Sequence, residues 1–317
     1  MAPEAQLAWE ARAGRPAAAA AFAAALLTLL AGVYLPLALS ERPDGADEFL
    51  IAADREGTDF IVSGAIQGLG TLLVAVVLAY LYRVTRYRRK QLLPAALVLA
   101  IAGAVLAAVL SVAVQVDRVN IAHDFVERPP ATPSQQELLG ITNPGEYLDK
   151  VNEFDPEDRA EQYIEDETSP VLSGVGFGAN LALGFAFVLI ALNAMRAGLL
   201  SRFTGILGVI IGALYVLPLL GGPQIIQLFW LGALGALFLG RWPGGRGPAW
   251  DTGEEAPWPT AAQQRERIER EREAAGYDED GSERADPDAE ADARDEPAPT
   301  RAERSRSARR KRKRKRR

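Results

Sequence analysis

Residues 60–91 read "FIVSGAIQGLGTLLVAVVLAYLYRVTRYRRKQ", an apolar run followed at once by a basic one. Residues 60–82 carry no charge, and a helix of 23 residues is long enough to cross a hydrocarbon core about 30 Å thick. Residues 83–91 carry five Arg or Lys and no acid, which is typical of a connection on the cytoplasmic side of a membrane. The stretch therefore predicts both a membrane-spanning helix and its orientation.

Five further uncharged stretches have the same apolar character, at residues 17–39, 92–116, 171–195, 203–220 and 224–240. The last two belong to one 38-residue run, which the sequence GGP at Gly221–Pro223 interrupts. We expect two short helices and a tight turn there, with a re-entrant hairpin as the alternative interpretation. The sequence thus predicts an all-α fold, a polytopic membrane bundle of six transmembrane helices.

The charges of the connections predict which side of the membrane each occupies. Residues 40–59 carry two basic and seven acidic groups, and residues 117–169 carry four and fourteen, so both acidic loops should be extracytoplasmic. Residues 1–16 and the C-terminus are then cytoplasmic, and the expected location is a bacterial inner (plasma) membrane. The first apolar stretch has the alternative of a cleaved signal peptide, but its 23 residues exceed the usual apolar core of one, which favours a retained anchor.

Composition limits the chemistry available to the chain. Cys is absent, which excludes disulfides and thiolate chemistry, and His123 is the single histidine. His123 with Asp124 matches no nucleophile motif, so a catalytic role is not expected for them. The spacing of Asp155, Glu157 and Asp158 matches no calcium-binding loop, so these acids are expected to form a solvated acidic cap. We accordingly predict no catalytic, cofactor-binding or metal-binding residues, and a protein that is not an enzyme.

Small residues at four-residue spacing allow close helix contacts, and six glycines are predicted to serve helix packing: Gly64, Gly68, Gly174, Gly178, Gly208 and Gly212. Such packing also leaves a homo-oligomer open. Gln67 and Asn180 are the polar residues that lie well within a predicted span. Interhelical hydrogen bonding is their first interpretation, and lining the path of a solute is the second.

Residues 241–317 hold 20 basic and 18 acidic groups with few large apolar side chains, which predicts a disordered tail. Gln263–Ala274 is the exception, because opposite charges four residues apart favour a solvated helix. The tail ends in a basic cluster formed by Arg309, Arg310, Lys311, Arg312, Lys313, Arg314, Lys315, Arg316 and Arg317. Its first expected partner is anionic lipid, the second is the acidic part of the tail itself, and the third is nucleic acid or the ribosome.

The sequences "NAMRAGLLSRFTGILGVIIGAL" (193–214) and "FWLGALGALFLGRWPGGRGPAW" (229–250) resemble those of uncharacterised bacterial multi-pass membrane proteins. The resemblance implies an integral membrane protein and transfers no catalytic or binding residue. The basic tail is similar to those of some bacterial membrane-protein insertases, but the intramembrane arginine of that pattern is missing. The expected function is a non-enzymatic interaction or envelope-associated scaffold that contacts anionic lipid through its tail, with a small-solute carrier or channel as the alternative.

Overall fold

The computed structural model describes residues 3–127, 143, 156–217, 224–243 and 245–258, with a few more between 263 and 271. Regular structure in these ranges is helical throughout, and no strand occurs among them. In chain order the helices are α1 (Pro3–Ala38), α2 (Ala46–Arg55), α3 (Gly57–Arg88), α4 (Ala95–Glu127), α5 (Pro156–Glu167), α6 (Pro170–Arg196), α7 (Arg202–Val216), α8 (Gln224–Phe238) and α9 (Ala249–Thr252).

Among the described helices, α1, α3, α4 and α6 are long and apolar enough to cross a membrane. The predicted all-α architecture is confirmed in the described residues, with these four helices as candidate membrane spans. Helices α7 and α8 are also apolar, but each has 15 residues and is therefore about 22 Å long, shorter than the hydrocarbon core. The turn predicted at Gly221–Pro223 lies outside the described residues.

The apolar helices form a ring. Helix α1 packs against α3 and α8, α3 packs against α4, α4 against α6 and α6 against α7, and a smaller contact between α7 and α8 closes the ring. Helices α3 and α6 also touch across its interior. Large buried side chains such as Leu78, Phe187 and Trp230 fill that interior and form the main core.

Gly64 and Gly68 lie where α3 meets α4. The Ser111 hydroxyl on α4 donates a hydrogen bond to the Gly64 carbonyl at 2.9 Å, and a Cβ at Gly68 would lie 2.8 Å from the Ala108 carbonyl oxygen. These distances leave no room for a larger residue without moving the backbone of α4. The two glycines therefore allow the close α3–α4 contact.

The other four predicted packing glycines divide into two pairs. Gly208 and Gly212 on α7 contact α6, where a Cβ at Gly212 would lie 2.5 Å from the Gly184 carbonyl oxygen. Around Gly174 and Gly178, in the first half of α6, no atom of another described element lies within 4 Å of an added Cβ. The structure thus places one pair at a helix contact and the other beside open space.

Helices α2 and α5 cover one end of the bundle, which we name the cap end. Leu50 and Ala53 on α2, Phe60 on α3, Ala122 on α4 and Ala160 on α5 form a small separate core there. Helix α5 lies within the loop at residues 117–169, which the sequence predicts to be acidic and extracytoplasmic.

The compact unit that contains the bundle extends to Trp258, beyond the boundary at residue 240 that the sequence predicts. The described residues of 241–258 pack on the helices, because Ala249 and Trp250 belong to the main core. In the second unit, residues 259–317, Arg270 pairs with Glu266 at 3.4 Å, in the segment predicted to be a solvated helix. The basic cluster at residues 309–317 lies outside the described residues.

Replacing Gly68 with Val is expected to lower the free energy of unfolding by about 1–3 kcal/mol, since the side chain would meet the α4 backbone. Gly178→Val is the matched control, because it adds the same side chain to a helix position with open space around it. Thermal unfolding of the purified protein in detergent measures both variants. Equal losses of stability in the two variants would contradict the proposed α3–α4 contact.

Candidate functional site

Arg88, in the last turn of α3, has a fully buried side chain and forms an ion pair with Glu10 on α1. Its Nη1 and Nη2 atoms donate to the two carboxylate oxygens of Glu10 at 2.5 and 2.9 Å. Nε and Nη2 also donate to the Ala249 carbonyl oxygen at 3.0 and 2.8 Å, and Nη1 donates to the Val84 carbonyl oxygen at 3.2 Å. All five N–H groups of the guanidinium therefore have an acceptor, which is the condition for burying such a charge.

Glu10 is held from its own helix as well as from α3. The Gln6 side-chain amide donates to the Glu10 carboxylate at 2.8 Å, and the Tyr80 hydroxyl donates to the Glu10 backbone carbonyl at 3.2 Å. Both Gln6 and Glu10 are buried. The segment before the first apolar stretch, predicted as a cytoplasmic N-terminus, is thus part of helix α1 and of its packing against α3.

Trp250 on α9 joins this ion pair to the rest of the bundle. The guanidinium carbons of Arg88 and Arg246 lie 5.9 and 5.4 Å from the centre of its ring system, within the range of cation–π attraction. Its indole Nε1 donates to the Leu199 carbonyl oxygen at 2.9 Å. Arg246 also donates to the Leu237 carbonyl oxygen at 3.1 Å, at the C-terminus of α8, where a cation is favoured.

The chain leaves the bundle beside the loop between α6 and α7. The Ala256 amide donates to the Ala197 carbonyl oxygen at 3.2 Å, and Arg89 pairs with Glu255. Gly198 has a φ of 82° and lies against the Ala256 carbonyl, so a side chain there would be excluded by both conformation and space. We name this end of the bundle the arginine end; it contains Glu10, Arg88, residues 197–201 and the described part of 241–258.

Exposed arginines surround the arginine end, at Arg12, Arg15, Arg83, Arg196, Arg202 and Arg241. Arg12 and Arg15 precede the uncharged stretch of α1, and Arg202 precedes that of α7. Arg83, Arg196 and Arg241 follow the uncharged stretches of α3, α6 and α8. Trp9 lies beneath one of them, with the Arg83 guanidinium 5.3 Å from its ring centre. Arginine and tryptophan in this arrangement are typical of the boundary between a membrane and the aqueous phase.

The sequence reasoning missed the Glu10–Arg88 pair. Both residues lie outside the uncharged stretches, where a charge is ordinarily solvated, and 78 positions separate them. A signal was present only in the concentration of Trp9, Tyr80 and Trp250 near the helix ends that were predicted to share one side. The contact between Glu10 and Arg88 is visible only in the folded structure.

Gln67 on α3 and Asn180 on α6, predicted as path-lining residues, are both exposed and lie in the half of the bundle nearer the cap end. They are not part of the Arg88 cluster. Between the two regions, the Tyr215 hydroxyl on α7 donates to the Gln227 side-chain carbonyl on α8 at 2.9 Å. Phe187 packs against Tyr215 and Trp230 with ring centres 5.6 and 5.3 Å apart, which closes the interior at that level.

His123 lies two turns beyond Val116, where the uncharged stretch of α4 ends, and connects α4 to the cap. Its Nδ1 lies 2.9 Å from an Asp54 carboxylate oxygen on α2, and its Nε2 lies 3.4 Å from Glu127. The hydrogen bond to Asp54 and then the charge of Glu127 raise the pKa of the imidazole. Asp124 adds a smaller contribution in the same direction.

Glu157 and Asp158 begin α5 and are exposed, while Asp155 lies outside the described residues. Among the described residues, no group of three His, Cys, Asp or Glu side chains is placed to hold a metal ion. Neither a protein-family model, nor a curated protein, nor a solved structure matches the chain. The function therefore has to be argued from the arginine end, the cap end and the interior between them.

Replacing Glu10 with Ala is expected to destabilise the protein by about 3–5 kcal/mol, because Arg88 would remain buried without its counter-charge. The double variant Glu10→Leu/Arg88→Met should lose much less, since both charges are removed together. Lys90→Met, at an exposed position two residues from Arg88, is the control. Urea unfolding in detergent measures the three variants, and a double variant as unstable as Glu10→Ala would overturn the assignment.

The imidazole of His123 is expected to titrate with a pKa above its ordinary value of about 6.5. The raised pKa means that the α2–α4 contact is strongest below pH 6.5 and weakens as the pH rises through the folded-state value. Since the chain has one histidine, NMR of ¹³C-labelled histidine gives a single signal to follow. Asp54→Ala should lower this pKa more than Asp124→Ala does; the reverse order would exclude the Asp54 contact as the main cause.

Proposed function

We propose that the chain is a non-enzymatic, six-crossing protein of a bacterial inner membrane, an interaction or envelope-associated scaffold whose basic tail contacts anionic lipid. In this proposal the arginine end faces the cytoplasm and the acidic cap end faces outward. The observation that carries it is the cluster around Arg88. That cluster holds the N-terminal part of α1, the end of α3 and residues 245–258 at one end of the bundle. We name residues 245–258 the exit segment.

The position of the exit segment supports a cytoplasmic tail. Helix α7 begins beside Leu199, and α8 ends beside Arg246 and Trp250, whose indole contacts the Leu199 carbonyl. The chain thus returns to the arginine end after α8. This holds whether α7 and α8 cross the membrane or form a re-entrant hairpin, so the direction of the tail does not depend on that choice.

The charge distribution supports lipid as the partner. The exposed arginines of the arginine end would already lie at the lipid headgroups, and each basic residue near an anionic surface contributes about 1 kcal/mol. Composition predicts that the residues between the exit segment and the basic cluster are disordered. A disordered linker of about 50 residues has a root-mean-square span of roughly 40 Å, enough to bring the cluster back to the same membrane or to a neighbouring one.

The full chain, reconstituted in zwitterionic vesicles, is expected to capture added vesicles that contain anionic lipid. Replacing all nine basic residues of Arg309–Arg317 with Gln should abolish capture, and raising the salt concentration should weaken it steeply. Light scattering and co-flotation measure the effect. Capture that is equal for both chains would overturn the lipid proposal.

Two further arms of this experiment test the other expected partners. Asp286→Asn/Asp288→Asn, in the acidic part of the tail, should increase capture if the tail pairs with itself and leave it unchanged otherwise. Single-stranded RNA that displaces the anionic vesicles at low concentration would instead favour nucleic acid. Labelling of Lys90→Cys and Arg317→Cys by a membrane-impermeant reagent should occur from the same side, and labelling from opposite sides would contradict the proposed topology.

A small-solute carrier or channel is the second candidate function. One specific observation favours it. Gln67 and Asn180 are exposed although both lie within the apolar stretches of helices that are long enough to cross a membrane. Exposed carboxamides at membrane depth need hydrogen-bonding partners, which hydrocarbon does not supply.

A further inference from the structure

Gln67 lies on the face of α3 that elsewhere points into the core. Positions 7, 11 and 14 residues further along return to the same face of a helix, and Val74, Leu78 and Leu81 at those positions are buried in the main core. Gln67 is nevertheless exposed. Its side chain therefore lies on the inward face of α3 but beyond the level at which the core is filled.

Asn180 has the same relation to helix α6. Phe187, Ala191 and Ala194 are 7, 11 and 14 residues further along on the same face, and all three are buried. Asn180 itself is exposed. Helices α3 and α6 touch across the interior and run in the same direction towards the arginine end. Ala75 on α3 and Leu183 on α6 belong to one packed cluster, so Gln67 lies about 7.5 Å nearer the cap end than Asn180 on the facing helix.

The shortness of α7 explains why this part of α6 is uncovered. A Cβ at Gly184 would lie 2.8 Å from the side chain of Val216, the last residue of α7, so α7 covers α6 up to that point. Asn180 lies one turn beyond Gly184, and Gly176 and Ser173 follow on the same face towards the cap end. No atom of another described element lies within 4 Å of a Cβ added at Gly176, and Ser173 is exposed. In the part of the chain that the structure describes, the inward face of α6 is thus left open from Asn180 towards the cap end.

These observations define a vestibule, which we describe as the space between the inward faces of α3 at Gln67 and α6 at Asn180. Its floor is formed by Phe187 with the hydrogen-bonded pair Tyr215 and Gln227. Below that floor the interior is filled by the main core, and beyond the core lies the Arg88 cluster. The vestibule is therefore closed towards the arginine end.

We propose that this vestibule binds a small uncharged polar solute that enters from the cap end. Each carboxamide offers an acceptor oxygen and two N–H donors, so together they can bind a solute that carries both kinds of group, such as an amide or a polyol. The uncharged stretches that form the walls hold no counter-charge, which makes an ion a poor ligand. The inference rests on the second candidate function and adds a place and a ligand class to it.

Accessibility of introduced cysteines tests whether the vestibule contains water. The natural chain has no Cys, so each variant has one reactive thiol. Gln67→Cys and Asn180→Cys are compared with Leu69→Cys and Phe185→Cys, whose parent side chains are both 53% exposed. These two positions lie within about 8 Å of Gln67 and Asn180 along their helices but on faces directed away from the vestibule. A charged, membrane-impermeant thiosulfonate added at the cap end should modify the first pair at least about tenfold faster, because thiolate forms only in contact with water.

Equal rates in the two pairs, or no reaction at Gln67→Cys and Asn180→Cys, would overturn the proposal, since lipid would then occupy the space. Thermal unfolding of each variant checks that the fold is retained. The Leu69→Cys and Phe185→Cys variants also control for any general loosening of the bundle, because loosening would raise all four rates together.

The ligand class is tested with urea and glycerol as probes. The reporter is Thr71→Cys, one turn from Gln67 on the same side of α3, because this variant keeps both carboxamides. Either probe should slow its modification at least about threefold at saturation, and the additional change Gln67→Leu or Asn180→Leu should remove this protection. Choline chloride and sucrose are the charged and oversized controls and should not protect. Absence of protection by both urea and glycerol, or equal protection by all four compounds, would overturn the proposal.

Swelling of reconstituted vesicles in urea or glycerol tests the carrier function separately from the site. Protection together with faster swelling supports both. Protection without swelling supports the binding site and removes the carrier function. Failure of the vesicle-capture experiment concerns the tail alone and leaves the vestibule unaffected.

Discussion

The buried guanidinium of Arg88 is the constraint on which the arginine end depends. The buried guanidinium is stabilised because Glu10, Ala249 and Val84 supply acceptors for all five of its N–H groups. These acceptors come from three separate parts of the chain. Losing any one of them would leave a donor unsatisfied in a low-dielectric site. The net contribution of the ion pair to stability is small, because the cost of desolvating both charges offsets most of their attraction. Its main effect is to fix one arrangement of α1, α3 and the exit segment.

Apolar length was sufficient to predict the helical bundle. The stretches at residues 17–39, 60–82, 92–116 and 171–195 lie, to within three residues at their ends, in helices long enough to cross a membrane. Uncharged runs of that length are stable only as helices in lipid. The extra turns of α1 before residue 17 could not be predicted in the same way. Their charges resemble those of a solvated terminus, and the burial of Glu10 depends on Arg88, which local patterns do not connect to it.

The two short helices limit prediction for a different reason. A 38-residue apolar run satisfies the requirements of a hairpin of two crossings and of a re-entrant hairpin, because composition alone does not fix where helices end. The structure ends α7 at Val216, beside Gly184, and Asn180 one turn further along α6 is exposed. Regular spacing predicted all six glycines equally well, because spacing does not show which face of a helix meets a neighbour. Gly174 and Gly178 lie on a part of α6 where no described helix comes within 4 Å of an added Cβ.

The closed arginine end and the open vestibule place a physical limit on transport. A carrier would have to expose the vestibule at the arginine end, which requires moving the exit segment and separating Arg88 from Glu10 or Ala249. Breaking a buried ion pair costs about 3–5 kcal/mol, so such a state would be populated about 10²–10⁴-fold less than the closed one unless something binds it preferentially. Contact of the basic cluster with anionic lipid, at about 1 kcal/mol per residue, is large enough to offset that cost if it pulls on the exit segment. Without that coupling, the same arrangement favours a one-sided binding site on a rigid scaffold over a carrier.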